Sequence, residues 1–311
     1  MNKLRKKIRV HFSNPKGLIL ALNQYGIYNW MPDKMFLKMM YKLSIGRKLN
    51  IEEPRTFNEK LNWLKLNDRK PKYVQQVDKF GVRKYIADTI GEEYLVPLLG
   101  VYDSFEEIDF NVLPDQFVLK CTHDSKSLLI CEDKANFDYE SAKKKLTRSL
   151  KRNLFWHGRE WSYKDVKPRI VCEKFISENG KVPDDYKVMC FNGKAKLIQV
   201  HLDRFSGNHV VDFYDITWEN TGITLYLPNS KTVTPKPAIF EHMISLSEIL
   251  AKDKYYVRID WYIVESKLYF GEITFFDGSG FINFGKFNDD VMLGGWINLP
   301  TDKVKILDED K

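Results

Sequence analysis

Apolar and polar residues alternate along several short stretches of the chain, which is the pattern of β-strands with one buried face. In DYKVMCFNGKAKLIQVHLDRF two such stretches flank Asn192-Gly193, a dipeptide that tolerates the positive φ values of a tight hairpin turn. Shorter apolar runs predict further strands over residues 116–121, 127–131, 169–176 and 210–218.

Three other stretches have apolar residues at helical spacing. In DKFGVRKYIADTI, over residues 78–90, Asp78 is the expected N-terminal cap and Gly91 the expected stop. Residues 137–154 predict a basic amphipathic helix, and residues 238–251 predict a helix with a wide apolar face. Because helices and hairpins mix without a regular strand–helix–strand repeat, the expected fold class is α+β with antiparallel sheets.

A second hairpin is expected in VRIDWYIVESKLYFGEITFF, over residues 257–276, and its register depends on the length of its turn. A three-residue turn over 265–267 places Val264 opposite Leu268 and keeps Glu272 away from the core. A two-residue turn would move Glu272 to the core face, where an unpaired carboxylate is costly. We therefore expect the three-residue turn, with a core face made of Ile259, Trp261, Ile263, Tyr269, Ile273 and Phe275.

In that register the opposite face of the hairpin carries charge. Asp260 lies opposite Glu272, and Arg258 lies opposite Thr274. Two carboxylates in direct opposition repel each other, and a divalent cation between them reverses the sign of that interaction. Hard oxygen ligands of this kind suit Mg²⁺. The alternative is an exposed polar face on which Arg258 neutralises the two acids.

The composition is that of a folded globular protein. The 311 residues are 43% hydrophobic and 29% charged, and no apolar run approaches the length of a membrane span. The start, MNKLRKKIRV, resembles the first part of a signal peptide, but the nearby GLILAL is too short for its apolar part. Four cysteines without a CxxC pair lie in apolar runs, which predicts buried free thiols and a reducing cytoplasm.

Charge is unevenly distributed along the chain. Residues 1–72 contain 17 Lys and Arg against 5 Asp and Glu, a net of +12, whereas the other residues contain 32 against 37, a net of −5. Apolar runs interleave with Lys34, Lys38 and Lys42, which suits peripheral contact with an anionic membrane surface at its inner face. A solvated helical face explains the same pattern. Nucleic acid is not an expected partner, because no helix-turn-helix, RNP or zinc-finger motif is present.

Charged residues inside apolar strands are the main candidates for chemistry. Lys120 ends FVLK, Glu173 follows RIVC, and Lys187 follows DY. A strand-borne lysine suits phosphate, and a carboxylate at a strand end suits a ribose hydroxyl or a base. Acids on a neighbouring hairpin can hold the Mg²⁺ that bridges phosphate oxygens. Each residue alone is more often a charge at a strand edge, but the order Lys, Glu, Lys, Arg-x-Asp, Glu-x-Thr is much harder to obtain by chance.

That order resembles the ATP-grasp fold, and the chain is more closely similar to the TupA-like ATP-grasp family, found among bacterial cell-surface polysaccharide genes. The resemblance is carried by FNEKLNWLKL, VDKFGVRKYI, FVLKCTHDS, EWSYKDVKPRIVCEKFI, the two hairpins and the closing WINLP, over about residues 55–300. It implies two α+β subdomains whose antiparallel sheets clamp a nucleotide. The expected parts are a basic, mainly helical region over 1–72, a first lobe over 73–115, a lid subdomain over 116–178 and a C-terminal subdomain over 179–311.

The resemblance also implies a nucleotide site for ATP. Its phosphates and adenosine are expected to contact Lys79, Lys120, Glu173 and Lys187. Between the lid strands the family usually has glycines, whose backbone N–H groups meet the phosphates. This chain has THDSKS there, so Ser125 and Lys126 are the expected contacts in that loop.

The metal and catalytic residues implied by the resemblance lie in the second hairpin. Asp260 and Glu272 are expected to bind Mg²⁺, with Thr274 standing where many ATP-grasp enzymes have Asn. Arg258 and Lys187 are expected to stabilise negative charge on the transferred phosphoryl group or on a tetrahedral intermediate.

The strand after the first hairpin is expected to face the substrate. His201, Asp203 and Arg204 are the candidates there, and a purely structural His201 is the alternative. The implied activity is that of an ATP-dependent carboxylate–amine ligase. Its substrates would be a uronic acid or related carboxylate of a surface polysaccharide and an amine such as an amino acid. A glycosyl- or phosphotransferase with this fold, or a non-catalytic component of a polysaccharide assembly complex, remains open.

Overall fold

A computed structural model describes residues 15–23, 25–178, 180–204 and 207–300. This part of the chain contains nine α-helices and nine β-strands, with short 3₁₀ turns between them. The helices are α1 (Pro15–Asn23), α2 (Asp33–Ile45), α3 (Phe57–Asn67), α4 (Lys72–Val77), α5 (Gly81–Thr89), α6 (Tyr139–Leu150), α7 (Phe155–Gly158), α8 (Phe240–Ala251) and α9 (Phe287–Gly295). The strands are β1 (Leu98–Tyr102), β2 (Phe117–Cys121), β3 (Leu129–Cys131), β4 (Ile170–Lys174), β5 (Asp185–Phe191), β6 (Lys194–Leu202), β7 (Val210–Asp215), β8 (Tyr256–Val264) and β9 (Lys267–Thr274).

The smaller sheet has four antiparallel strands in the order β1-β4-β2-β3. Its buried face packs against α6, where Leu119 and Cys172 from the sheet meet Ala142 and Leu146 from the helix. Because side chains alternate along a strand, Lys120 and Glu173 point to the opposite face.

The larger sheet has five antiparallel strands in the order β7-β6-β5-β8-β9. One face carries Val188, Ile198, Ile259 and Ile273, all fully or almost fully buried in the main core. Helix α8 covers this face, and the Trp261 indole donates to Ser247 Oγ of α8 at 2.8 Å. The other face is polar at one end, around Asp260, and aromatic at the other, where Phe191 and Tyr256 meet.

The α+β class with two antiparallel sheets is confirmed, and so is the hairpin at Asn192 and Gly193, whose φ values are 49° and 81°. The helix expected over 78–90 begins at Gly81, because Asp78 ends α4 and bonds the backbone N–H of Phe80 instead. The helix expected over 137–154 ends at Leu150. All four cysteines are buried and free, as expected.

The turn of the second hairpin differs from the expectation. Val264 pairs with Lys267, so the turn has two residues, and both have the positive φ values of a type I′ turn. The carboxylates nevertheless pair as expected, because Gly271 is an extra residue in β9 that lacks a partner in β8. This bulge leaves Asp260 opposite Glu272 and Arg258 opposite Thr274.

The bulge also corrects the expected core face of the hairpin. Leu268 and Phe270 are buried there, whereas Tyr269 pairs with Tyr262 on the other face. Between the turn and the bulge, β9 is thus shifted by one residue relative to the expected register, and a one-residue shift exchanges the two faces of a strand.

The N-terminal helices pack on the same core. Helix α2 buries Phe36, Leu37, Met40 and Tyr41, so its apolar runs are core-facing. Its lysines Lys34 and Lys38 lie 3.2 and 3.5 Å from Glu52 Oε1. For α2 itself, the solvated helical face is therefore the better interpretation.

Candidate active site

The polar face of the larger sheet brings together the charged residues of β5, β8 and β9. Lys187 pairs with Asp260, which pairs with Glu272, so one row of the sheet carries Lys, Asp and Glu side by side. The next row places Arg258 beside Thr274. Five residues expected at the site from sequence are thus brought together: Lys187, Arg258, Asp260, Glu272 and Thr274.

Arg258 is the centre of this cluster. Its Nε lies 2.6 Å from Asp260 Oδ1, and its Nη2 lies 2.8 Å from Asp260 Oδ2. The same Nη2 lies 3.2 Å from Glu272 Oε1 and 3.2 Å from Thr274 Oγ1, while Nη1 donates to Asp277. Burial disfavours the charge on Arg258, but Asp260 and Asp277 raise the pKa of its guanidinium well above the ordinary value.

Both oxygens of Asp260 have cationic partners, because Lys187 also donates to Oδ2. Burial alone would raise the pKa of this carboxyl, but Arg258 and Lys187 together lower it to about 2. Asp260 is therefore a carboxylate at neutral pH. Glu272 is the most accessible acid of the cluster, with 31% of its side chain exposed.

The cluster extends along β5 to Asp185, which was not expected at the site. Asp185 Oδ1 lies 3.5 Å from Lys187 Nζ, and its Oδ2 accepts from Arg204 Nη1 at 2.9 Å. Burial raises the pKa of Asp185, but Lys187 and Arg204 outweigh it, and the net shift is downward. Asp185 thereby holds Arg204 beside Lys187, on the side of the sheet that is expected to face the substrate.

His201 lies in the same row as Asp185, and its Nδ1 is 2.9 Å from His209 Nε2. Burial, then the charge of Lys187, lowers the pKa of His201 to about 3, so the ring is neutral. Its Nε2 is buried without a hydrogen-bond partner in the described part of the chain. Asp203 is in the left-handed region, with φ 52°, and its backbone N–H bonds Asp184.

The nucleotide-binding candidates of the smaller sheet form a separate group. Glu173 lies between two cations, with Lys120 Nζ 2.6 Å from Oε2 and Arg83 Nη1 3.4 Å from Oε1. Lys79 connects this region to the larger sheet, since its Nζ donates to the Asp124 carbonyl at 2.5 Å and lies 3.7 Å from Glu272 Oε2.

The THDSKS loop is closed by its own side chains. The carboxylate of Asp124 accepts from the hydroxyl and the backbone N–H of Ser127. The Ser127 hydroxyl in turn accepts from the Cys121 N–H at 2.7 Å. Ser125 and Lys126 are exposed at the tip of this loop. Their contact with phosphate stays a prediction.

Asp277, missed in the sequence, is presented to Arg258 by the turn Asp277–Gly280. Three side chains of α3 hold this turn and the residues after it. Lys65 Nζ donates to the Ser279 carbonyl at 2.6 Å, and Asn62 Nδ2 donates to the Gly280 carbonyl at 2.8 Å. Asn58 bonds both the carbonyl and the N–H of Ile282, at 2.9 and 2.7 Å.

Ser279 is held on a second side by Glu160, which accepts a hydrogen bond from its hydroxyl. Ser279 has φ 54°, a conformation that a non-glycine residue adopts only when its surroundings impose it. Gly158 makes the close approach possible, because a Cβ there would lie 2.7 Å from Ser279 Oγ. Lys65 also donates to the Gly158 carbonyl at 2.7 Å.

The arrangement of oxygens fits Mg²⁺ carried by a nucleotide. Among the described residues no three His, Cys, Asp or Glu side chains form a group that can hold a metal. Mg²⁺ bound with phosphates needs only one or two protein carboxylates, because phosphate and water oxygens complete its shell. One nitrogen of Arg258 already contacts both Asp260 and Glu272, so the two carboxylates converge on a single positive charge.

Two antiparallel α+β units, with lysines on both and an acid-rich hairpin on one, form the arrangement of the ATP-grasp class. The family model described as TupA-like ATPgrasp matches residues 59–298. The chain therefore belongs to the TupA-like ATP-grasp family, and the resemblance inferred from its sequence is confirmed. A comparison with curated proteins gives no match.

Solved structures with a similar fold include D-alanine–D-alanine ligase from Bacillus anthracis complexed with ATP, at 17% identity and a TM-score of 0.37, covering 64% of this chain and 53% of that one. L-amino acid ligase from Bacillus licheniformis is 12% identical, with a TM-score of 0.44 and coverages of 81% and 57%. The ligase PsnB, complexed with a precursor variant, Mg and ADP, is 10% identical, with a TM-score of 0.39 and coverages of 79% and 64%. The chain spans 53–64% of the length of these three proteins, which are too distant to carry an activity over to it.

Proposed function

We propose that the chain is an ATP-dependent carboxylate–amine ligase that works through an acyl phosphate. The observation that carries the proposal is the Arg258 guanidinium, which three carboxylates hold beside Lys187 on one face of the larger sheet. Fixed positive charge at such a place stabilises the charge that develops on a transferred phosphoryl group. Membership of the ATP-grasp family supports ATP as the phosphoryl donor.

In the first step a carboxylate oxygen of the acid substrate attacks the γ-phosphorus of ATP. The bond from that phosphorus to the bridging oxygen breaks, ADP leaves, and the acid becomes an acyl phosphate. Arg258 and Lys187 neutralise the phosphoryl oxygens and hold the two substrates in line. Asp260 and Glu272, with the hydroxyl of Thr274, would hold Mg²⁺, which when bound neutralises phosphate charge.

In the second step the nitrogen of the amine attacks the acyl carbon. The tetrahedral intermediate carries a negative oxygen, and Arg258 is the group that stabilises it. The intermediate collapses with loss of inorganic phosphate, the nitrogen loses a proton, and an amide remains. The protein supplies position and charge in both steps, since phosphoryl transfer requires little covalent help from side chains.

The nucleotide is proposed to lie between the two sheets. The contact of Lys79 with both the lid loop and Glu272 supports this, because that lysine joins the two sides. Lys120 and Glu173 would contact the adenosine or its phosphates, and the exposed Ser125 and Lys126 would meet the phosphates from the lid. A bound nucleotide would exchange the ion pair of Lys120 with Glu173 for its own contacts.

The acid substrate is proposed to be a uronic acid or related carboxylate of a bacterial surface polysaccharide, and the amine an amino acid. Arg204 supports a carboxylate on this side, because Asp185 holds it next to Lys187. The neutral ring of His201 and the neighbouring Asp203 are the proposed contacts for hydroxyl or amine groups. The family's place among polysaccharide genes suggests the glycan.

The test is mass spectrometry of the products after incubation with ATP, Mg²⁺, pooled uronates and pooled amino acids. The expected product has the mass of one acid and one amine less one water, and its formation releases ADP only when both are present. With a heavy-oxygen label in the carboxylate, one label appears in the released phosphate. Asp260→Asn and Glu272→Gln should give no product, whereas Glu248→Gln, a partly exposed acid on α8, should match the unaltered protein.

Other outcomes would overturn the ligase proposal. A phosphorylated sugar, or a glycoside formed without an amine, would make the protein a transferase. Absence of any Mg²⁺-dependent nucleotide binding would favour the non-catalytic alternative. Binding is measured by the rise in melting temperature with Mg·ATP, which follows from mass action on the native state. That rise should fall sharply in Lys120→Ala and Lys187→Ala but not in Lys143→Ala, which alters an exposed pair with Glu106.

A further inference from the structure

The loop between α1 and α2 exposes large apolar side chains to an unusual degree. Tyr25 is 81% exposed, Ile27 51% and Trp30 74%, and Met35 follows at 53% in the first turn of α2. Single exposed apolar residues are normal on a protein surface, but four of them within residues 25–35 suggest an interaction surface.

The backbone of this loop is firmly held, so the exposure is a fixed feature of the fold. The buried Arg159 donates from Nη2 to the carbonyls of Tyr28 and Met31, at 2.9 and 3.1 Å. The side chain of Asn23 donates to the His157 carbonyl at 2.8 Å. The loop is thus attached to the body by its backbone and by Asn23, while Tyr25, Ile27 and Trp30 point outward.

Helix α1 extends the same surface. Its sequence PKGLILALN has no charged residue after Lys16, and Leu18, Ile19 and Leu22 are each only half-buried. Leu20 packs against the main core and fixes the helix to the body. An apolar helix that is partly exposed on several sides is poorly suited to water and well suited to the boundary region of a lipid bilayer.

The sequence that leads into this surface is basic. Residues 1–32 contain six Lys and Arg and no Asp or Glu, the first acid being Asp33. Lys16 is exposed at the start of α1. Clusters of basic residues next to an amphipathic surface are attracted to anionic lipid, and Trp and Tyr rings prefer the interface between lipid and water.

We propose that α1 and the loop over residues 25–30 dock on an anionic lipid bilayer. These two segments are called the membrane surface below. No helix in the described part of the chain is long and apolar enough to cross a membrane, so the surface would lie in the interface. A second copy of the chain is a poorer occupant, because both copies carry the same excess of Lys and Arg in residues 1–32 and like charges repel. The basic helix α2, by contrast, uses its apolar side for the core.

The test is sedimentation of the full chain with vesicles of phosphatidylcholine alone and with about a quarter phosphatidylglycerol. We expect binding to the anionic vesicles, weakened when salt rises from about 0.1 M to 1 M and the screening length falls from about 10 Å to 3 Å. The triple change Tyr25→Ser, Ile27→Ser and Trp30→Ser should lower the partition coefficient on the order of tenfold or more, since three apolar side chains lose their burial in lipid.

A matched control keeps the test specific. Val112, Tyr226 and Val233 are 75%, 85% and 74% exposed elsewhere, so changing all three to Ser removes comparable exposed apolar groups and should leave vesicle binding unchanged. Absence of binding by the unaltered protein, equal binding by both triple variants, or a dimer that only the loop variant disrupts would overturn the proposal. The surface contains no residue of the proposed active site, so stabilisation by Mg·ATP is a separate readout.

Discussion

Two buried cations, Arg258 and Lys65, differ in how many acids bond them directly. Arg258 is surrounded by the carboxylates of Asp260, Glu272 and Asp277. Lys65 is fully buried and bonds two carbonyls and the side-chain oxygen of Asn62, with Glu160 as its one neighbouring acid among the described residues. The acids around Arg258 raise its pKa, whereas burial lowers the pKa of Lys65 even though the charge of Glu160 opposes that shift. The partner atoms therefore decide whether a buried cation is held firmly in its charged form.

The difference between the two cations corresponds to two different proposed roles in the site. The cluster of Arg258 includes Glu272, which has 31% of its side chain exposed, so this cluster reaches solvent on one side. Lys65 is sealed from solvent and holds the turn that carries Ser279. That turn begins with Asp277, which bonds Arg258. We therefore propose Lys65 as a positioning residue for the candidate site and Arg258 as the group that contacts substrate.

The largest expected effect comes from removing Arg258. Arg258→Met leaves three carboxylates converging without their central cation, which should destabilise the fold by roughly 3–5 kcal/mol. Lys65→Met leaves two carbonyls without a donor and Glu160 without its neighbouring cation, but it also removes a buried charge, so we expect a smaller loss of about 1–3 kcal/mol. Urea unfolding of both variants measures the difference. A larger loss in Lys65→Met would reverse the comparison.

Asp260→Asn and Glu272→Gln test the chemistry of the first cluster. Each keeps the shape of the side chain but removes charge next to Arg258, and turnover should fall on the order of 100-fold or more. Asp260→Asn should also lower stability by about 1–3 kcal/mol, since both of its oxygens accept from cations. Activity and urea midpoints are measured together. A destabilised Asp260→Asn that keeps full turnover would contradict the proposed metal-binding role of this residue.

Asn62→Leu tests the positioning role of α3. The change removes the donor to the Gly280 carbonyl and an acceptor of Lys65, which should lower stability by about 1–2 kcal/mol. Amide hydrogen exchange should accelerate over residues 279–282, and KM for ATP should change less than kcat. Asn67→Ala is the matched control, because Asn67 caps a carbonyl of its own helix. Equal exchange in the two variants would mean that α3 does not hold the turn.

His201 is a buried base beside the cation Lys187. Of the changes considered, we expect the substitution of His201 to alter stability near neutral pH the least. Its pKa is lowered to about 3, so below pH 6.5 the unfolded chain binds a proton that the folded chain does not. Stability should therefore be lost as pH falls from 6.5 towards 3, by about 1 kcal/mol at pH 5.5. His201→Gln should flatten this part of the profile of melting temperature against pH. An unchanged slope would assign the acid sensitivity to another group.

The pairing of the two carboxylates was predictable from sequence, but the path of the chain between them was not. Counting alternate positions placed Asp260 opposite Glu272, and that pairing is confirmed. The predicted three-residue turn and the predicted core position of Tyr269 were wrong. Alternation assumes an unbroken ladder of paired residues, and a bulge interrupts it. Gly271 is the one sequence signal of the bulge. A Cβ there would lie 3.1 Å from the Asp260 carbonyl.

The contacts made by α3 could not be predicted from the sequence, for a different reason. Asn58, Asn62 and Lys65 recur at helical spacing in FNEKLNWLKLN, and polar residues with that spacing normally form a solvated helical face. Their partners in the turn and after it lie more than 200 positions later in the chain. A local pattern shows which face of a helix is polar. Tertiary packing decides whether the polar side chains on that face bond water or backbone groups.

The bulge at Gly271 also has a consequence for changes of chain length. The two-residue turn together with the bulge uses as many residues between Asp260 and Glu272 as a three-residue turn with a regular ladder. A loop residue inserted at the tip and a deletion of Gly271 are therefore compensating changes that leave the two acids opposite each other. Either change alone would turn Glu272 towards the core. The separation of the two acids along the chain, rather than the shape of the turn, is what this hairpin has to preserve.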